Sequence, residues 1–394
     1  MIDINFILLI IGSVLIVSVL LTRFTSKLGV PTLVIFIFIG IFFNFEKYIA
    51  NTVSNYALVQ SISIFALIVI MFSGGLDTDF DQIKSIAKPG ISLATVGVII
   101  TAGTIGLLVH YLLHLDLMLS LLLGSMVSST DAAAVFSIFK TQKLHIKHNL
   151  DNMLELESGT NDPMAYILVT SCIHLILHPQ TALIDILFEF VWSLAVGLIA
   201  GYILGKVFAR LLARIKLPIE GLYPVLLLST AILSFAITEY FGGNGFLSVY
   251  MAAVIIGNCK IKYKYTQLSF FEGIAWLMQI TMFILLGTFT QPMELTLVIV
   301  PAILISILLI FVARPIAVLV SLAPFKVDGN SKAFISWAGI KGAVPIVFAF
   351  YPLVAGIESA RLLFNVVMVI TCISVLVQGS TLKFMARKLG LLYD

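Results

Sequence analysis

Thirteen apolar runs, most of them about as long as a membrane-crossing helix, follow one another with only short polar connections between them. They lie near residues 4–22, 30–45, 56–74, 90–113, 117–139, 150–177, 184–209, 221–241, 245–258, 273–289, 293–323, 332–353 and 360–385. A bilayer core admits only helices or closed barrels, because each backbone polar group must find its partner inside the protein. Runs of this length predict helices, so the expected fold is an all-α polytopic membrane protein with about 13 transmembrane helices. Only 11% of the 394 residues are charged, less than half the roughly 25% of a soluble domain. One transmembrane domain over 1–394 is expected, with no soluble C-terminal domain.

The charges carry a topology. With the amino terminus outside and the carboxyl terminus cytoplasmic, every Lys and Arg except Lys47, Arg361, Arg314 and Lys341 falls in a cytoplasmic connection. That one-sidedness is the positive-inside rule, and adding or losing one span would scramble it. Topology therefore accounts for the basic loops, and no nucleic-acid partner is expected. The chain opens Met1-Ile2-Asp3 without a basic n-region or a cleavage site, so the first run reads as a retained helix.

Weak self-similarity recurs at an offset of about seven spans. Gly40 to Asn44 resembles Gly257-Asn258, Gly74 and Gly75 match Gly287, and Asp131-Ala132-Ala133 faces Lys341-Gly342-Ala343. An odd offset in spans means that the copies are inverted. The expected organisation is two inverted six-helix repeats, about 4–178 and 221–385, joined by a linking helix at about 184–214. Proteins of this kind place a site at the repeat interface, between discontinuous crossing helices.

Besides the eleventh run with Arg314, three interrupted or motif-bearing runs hold charge at membrane depth, where a carboxylate costs at least about 2.5 kcal/mol. Ser128-Ser129-Thr130-Asp131 puts weak helix formers in mid-span, and Lys341-Gly342-Ala343-Val344-Pro345 interrupts the symmetric run. Breaks expose carbonyls on one half-helix and N–H groups on the other, and Asp131 and Lys341 suit those ends. The third run opens Glu157-Ser158-Gly159-Thr160-Asn161-Asp162-Pro163. Ser158 and Asp162 share one helix face, and Glu157 and Asn161 form the adjacent stripe. Their oxygens are hard ligands for an alkali cation. An apolar setting penalises the bare Asp162 carboxylate, so a proton and a cation compete for it. A group that holds either, and alternates between two faces, is an exchanger. Buried Glu157 needs a cation, with Arg314 the first candidate and Lys341 the second. The same ligands would serve a monovalent cation channel or uniporter, although no carbonyl-ring filter motif is visible. An intramembrane aspartyl hydrolase on Asp131 and Asp162 fits poorly with Lys341 and the Ser158/Asn161 set, so no enzyme is expected.

Thr130-Asp131, Glu157-Ser158-Gly159-x-Asn161-Asp162-Pro163 and Gly342-Ala343-Val344-Pro345 resemble the monovalent cation/proton antiporter family, in its NhaP-like, potassium/proton branch. The resemblance covers essentially the whole chain. It implies that K+ or Na+ is held by Asp162, Ser158, Asp131 and the carbonyl of Thr130. It implies that the Asn161-Asp162 pair goes with electroneutral one-for-one exchange for H+, with no cofactor. It further implies a homodimer in the lipid bilayer of a bacterial inner membrane, with runs 5, 6, 12 and 13 in a mobile core. The family usually has Arg where Lys341 stands. Potassium-exchanging relatives often carry a cytoplasmic nucleotide-sensing domain after the last span.

Overall fold

The computed structural model describes residues 4–28, 32–43, 56–131, 135, 139 and 146–393. Met1 to Asp3, Asn44, Lys47, Ala132 to Ala134, Lys140 and Lys143, used above in reading repeats and topology, lie outside the described residues. Each apolar run carries helix. In chain order these are α1 (Ile4–Leu28), α2 (Thr32–Phe43), α3 (Tyr56–Asp77), α4 (Ala87–Leu113), α5 (Leu117–Met126), α6 (Leu150–Leu177) and α7 (Leu183–Arg214). They continue as α8 (Leu222–Tyr240), α9 (Gly245–Gly257), α10 (Lys264–Phe289), α11 (Pro292–Ser321), α12 (Gly329–Trp337), α13 (Ala343–Val354) and α14 (Ala360–Lys388). Among the described residues no strand forms beyond one bridge between Ile146 and Leu392.

By length and composition α3, α4, α7, α8, α10, α11 and α14 can each cross a bilayer, and shorter apolar helices stand beside them. The protein is an integral membrane protein. Its exposed apolar surface is clearest on α7, where Leu187, Val191, Ile199 and Tyr202 are exposed. The opposite face of α7 carries Gly197, Gly201 and Gly205 at four-residue spacing. A Cβ there would lie 2.8 Å from the Asn244 carbonyl oxygen, 2.7 Å from that of Ser248 and 3.0 Å from the Ala252 Cα. Small residues at this spacing let two membrane helices touch backbone to backbone, so α7 and α9 pack as one unit.

Two further close crossings stand in the relation that the sequence offset describes. α2 meets α10 where Gly40 and Gly287 face each other, a Cβ on either falling 2.8 Å from the other's Cα. α9 meets α3 in the same way, a Cβ on Gly257 falling 2.9 Å from the Leu76 Cα and one on Gly75 falling 2.9 Å from the Tyr250 carbonyl oxygen.

Two elements differ from the sequence expectation. α10 begins at Lys264 rather than near 273, because its first turns, Lys264-Tyr265-Thr266-Gln267, are polar and escape a hydropathy reading. The eleventh run is one helix with a π-helical turn at Leu309–Ala313. Pro315 supplies no N–H to the carbonyl four residues earlier, and a wider turn absorbs that loss immediately before Arg314.

Candidate functional site

The site begins with two helices, α5 and α12, that stop well short of a full span. α5 is capped at its start by the Asp116 carboxylate, which accepts the Met118 N–H at 2.8 Å, and it stops at Met126 before Val127-Ser128-Ser129-Thr130-Asp131. Hydroxyl side chains compete for backbone partners and favour such exits: Ser128 Oγ donates to the Ser125 carbonyl at 2.7 Å. α12 stops at Trp337, and α13 starts at Ala343 with Pro345 in its first turn, where a missing N–H costs no bond. The breaks meet through backbone, the Asp131 N–H donating to the Ile340 carbonyl at 2.9 Å.

Each break then neutralises the other. Lys341 Nζ donates to the carbonyls of Ser128 (3.1 Å) and Ser129 (2.8 Å), just past the negative end of α5. Asp131 Oδ2 accepts the Ala343 N–H at 3.2 Å, at the positive end of α13. Lys341 is 1% exposed and Asp131 8%, so both charges act where water screens them little. Gly342 is needed for the approach, since a Cβ there would fall on the Asp131 carboxylate.

α6 passes beside this crossing. Ser129 Oγ donates to Asp162 Oδ1 in a short contact. Ser158 Oγ donates to the Thr130 carbonyl at 3.0 Å, and Asn161 Nδ2 donates to Thr130 Oγ1 at 2.6 Å. On the neighbouring stripe Glu157 Oε1 lies 2.6 Å from Arg314 Nη1, both side chains almost wholly buried. Arg314 Nη2 also reaches the Ile335 carbonyl at 3.4 Å. Gly339 leaves room for this guanidinium, for a Cβ there would meet Arg314 Nε.

A cavity of about 460 Å³ reaches the crossing and is lined there by Asp162, Asp131 and Ser158. Tyr250 and Gln279 form its wall, and Asp77, Glu155 and Glu272 also line it. It has room for on the order of ten waters. Its carboxylates raise the local concentration of cations.

All eight residues singled out in the sequence thus gather in one place, but in three layers. Asp162, Asp131 and Ser158 face the cavity. Thr130 and Asn161 stand behind them as a hydrogen-bonded support, and the Thr130 carbonyl, which the resemblance makes a cation ligand, accepts the Ser158 hydroxyl here. Glu157, Arg314 and Lys341 lie further back as charge compensation. Sequence reasoning missed Ser129, although it lies in the run already marked as a break. It also missed Asp77, Glu155 and Glu272, which three separate helices bring to one cavity.

A membrane bundle whose two broken helices cross beside a buried aspartate is the architecture of an ion exchanger. The chain belongs to the transmembrane sodium/hydrogen exchanger family, whose sequence profile matches residues 13–388. It is 37% identical, over 98% of its length, to the K(+)/H(+) antiporter NhaP of Alkalimonas amylolytica. To the K(+)/H(+) antiporter NhaP2 of Shewanella oneidensis it is 36% identical over 94% of its length. The chain spans about two thirds of these relatives, 67% and 65% of their lengths. Its fold is similar to that of the sodium proton antiporter MjNhaP1 from Methanocaldococcus jannaschii, with a TM-score of 0.82 over 96% of this chain and 97% of that one, at 19% identity.

Proposed function

We propose that the protein is a secondary antiporter exchanging a monovalent cation, K+ or Na+, for H+ across the membrane. The observation that carries this reading is the position of Asp162, 6% exposed, at the crossing of two broken helices and on the wall of an acid-lined cavity. A carboxylate in that setting is neutralised by whichever partner reaches it, proton or cation, and the two exclude each other. Ser129, Ser158 and Asp131 supply further oxygens around a dehydrated ion, and Thr130 and Asn161 hold Ser158 in place.

The charges around Asp162 support electroneutral one-for-one exchange. Glu157 is compensated by Arg314, and Asp131 and Lys341 are each committed to a helix end. Asn161 is neutral and donates to Thr130. Asp162 alone of the α6 motif is left to change its charge in the cycle. The paired crossings of α2 with α10 and α9 with α3 support two inverted repeats, about 4–178 and 221–385, linked by 184–214. Asp162 then faces the two membrane sides in turn by movement of one set of helices against the other. Thirteen crossings, an outside amino terminus, a cytoplasmic carboxyl terminus, a bacterial inner-membrane location and a homodimer complete the reading. The names of the relatives favour potassium.

The test is cation-driven proton movement in proteoliposomes, with K+ and Na+ supplied separately. Dissipation of a preset pH gradient by one cation, insensitive to membrane potential, is the expected result. Cation flux without proton movement would replace exchange by a channel or uniporter.

A further inference from the structure

A second cavity lies further along α6, beyond Asp162. It measures about 380 Å³ and is lined by Tyr166, Ser171 and His174 of α6, Glu189 and Trp192 of α7, and Glu239 of α8. Tyr166 follows Asp162 by four residues, so it stands one turn further along the same face of α6. α13 makes the same step. Val344 lines the first cavity, and Phe348, four residues on, stands 6.3 Å from Tyr166 between ring centroids. Tyr351 and Phe246 close on the same ring, edge to face, at 5.5 and 5.3 Å. Phe348 and Phe246 are completely buried. One layer of aromatic side chains therefore stands between the two cavities.

That layer is fastened to the end of α8 and to the connection between α8 and α9. The Tyr166 hydroxyl donates to Glu239 Oε2 at 3.4 Å, and the other Glu239 oxygen accepts the Gly245 N–H at 2.9 Å. Asn244 Nδ2 donates to the Pro163 carbonyl of α6 at 2.8 Å, while its Oδ1 accepts the Leu247 N–H at the start of α9. The connection is itself tied to α7, through the Asn244 N–H to the Ser193 carbonyl (2.9 Å) and Trp192 Nε1 to the Phe241 carbonyl (3.2 Å). It therefore belongs to the α7–α9 unit, and it grips α6 at two points on either side of a helical turn.

We propose that this second cavity is the route to Asp162 from the opposite membrane face, and that Tyr166, held by Glu239, is the gate that closes it. The inference rests on the exchange reading above. An exchanger leaks if its carboxylate meets both faces at once, and here the first cavity already reaches Asp162. The other side must be shut, and the Tyr166 ring stands where that closure is needed. Opening requires α6 to release Glu239 and Asn244 and the ring to swing out of the layer. The Glu239 carboxylate, freed from Tyr166, then faces a passing cation, with the His174–Glu189 pair (Nδ1 to Oε2, 3.5 Å) beside it.

Single cysteines test this without any transport assay, so failure of the gate and failure of the exchange reading are read separately. Cys172, Cys259 and Cys372 are first replaced by Ala. Ser73, which lines the first cavity, then reports on it as Ser73→Cys, and Ser171→Cys reports on the second, with a membrane-impermeant thiol reagent applied to one face of sealed vesicles at a time. Each cysteine is expected to react from one face only, and the two faces to differ. Adding Tyr166→Ala is expected to let Ser73→Cys react from the Ser171 face as well. Should that variant fail to elute as folded protein, Tyr166→Phe decides: loss of the hydroxyl alone raises Ser73→Cys labelling from the Ser171 face by about two- to fivefold. Reaction of both cysteines from the same face, or sidedness unchanged by removing Tyr166, overturns the proposal.

Discussion

Lys341 Nζ lies 2.8 Å from the backbone carbonyl of Ser129, and the side chain of that same serine donates to Asp162. The cation holds the broken end of α5 by its backbone, which leaves the hydroxyl free to serve the α6 carboxylate. Structure and chemistry at this crossing thus divide over two atoms of one residue.

That division is testable. Ser129→Ala removes the hydroxyl and keeps the carbonyl, so the Lys341 contact should be retained and thermal stability should fall by no more than the one lost hydrogen bond. A hydrogen bond to an ionised group contributes about 1.5–3 kcal/mol, and the apparent KM for the cation should rise about tenfold or more. Proteoliposome exchange measured over a cation series checks this. An unchanged KM would remove Ser129 from the site.

The Glu157–Arg314 pair should behave as a unit. Breaking a buried pair from one side strands the other charge, at a cost of about 3–5 kcal/mol. Glu157→Gln or Arg314→Met alone should therefore lower the melting temperature of the detergent-purified protein sharply. The double variant should lose less than the sum of the two, and a thermodynamic cycle measures the difference. Strict additivity would show that the charges do not depend on each other.

Outside the membrane, Asp328 accepts the Ser331 hydroxyl at 2.6 Å and the Ser331 N–H at 2.9 Å at the start of α12. These bonds, the hydroxyl first, hold its carboxyl below the usual carboxylate range. A lowered carboxyl contributes stability above its unfolded pKa and loses it as pH falls through the folded one. The stability gap between wild type and Asp328→Ala should be present at neutral pH and close below about pH 4. Melting curves taken across that range provide the check, and a gap that persists at low pH would contradict the assignment.

Much of this architecture is legible before any coordinates. The apolar runs mark the helices because the bilayer leaves the backbone few alternatives. Ser128 to Asp131 and Lys341 to Pro345 mark two breaks because their side chains and missing donors favour leaving a helix. Arg314 stands out as a partner for Glu157 because few buried cations exist to choose from. Other features depend on spatial convergence. Asp77, Glu155 and Glu272 lie near the polar ends of their helices, where a charged residue needs no explanation, and only packing brings them to one cavity. Hydropathy misses the first turns of α10 because they are polar. The division of the motif into cavity-facing Ser158 and supporting Thr130 and Asn161 depends on side-chain directions that spacing alone does not fix.

The central claim is that one carboxylate, Asp162, holds either a proton or a cation. It is tested most directly by titrating lightly buffered, detergent-purified protein with the transported cation and counting the protons released. Wild type should release about one proton per cation bound at a pH where Asp162 starts protonated, and Asp162→Asn should release none. Cation binding without proton release, or equal release from the Asp162→Asn variant, would contradict the account.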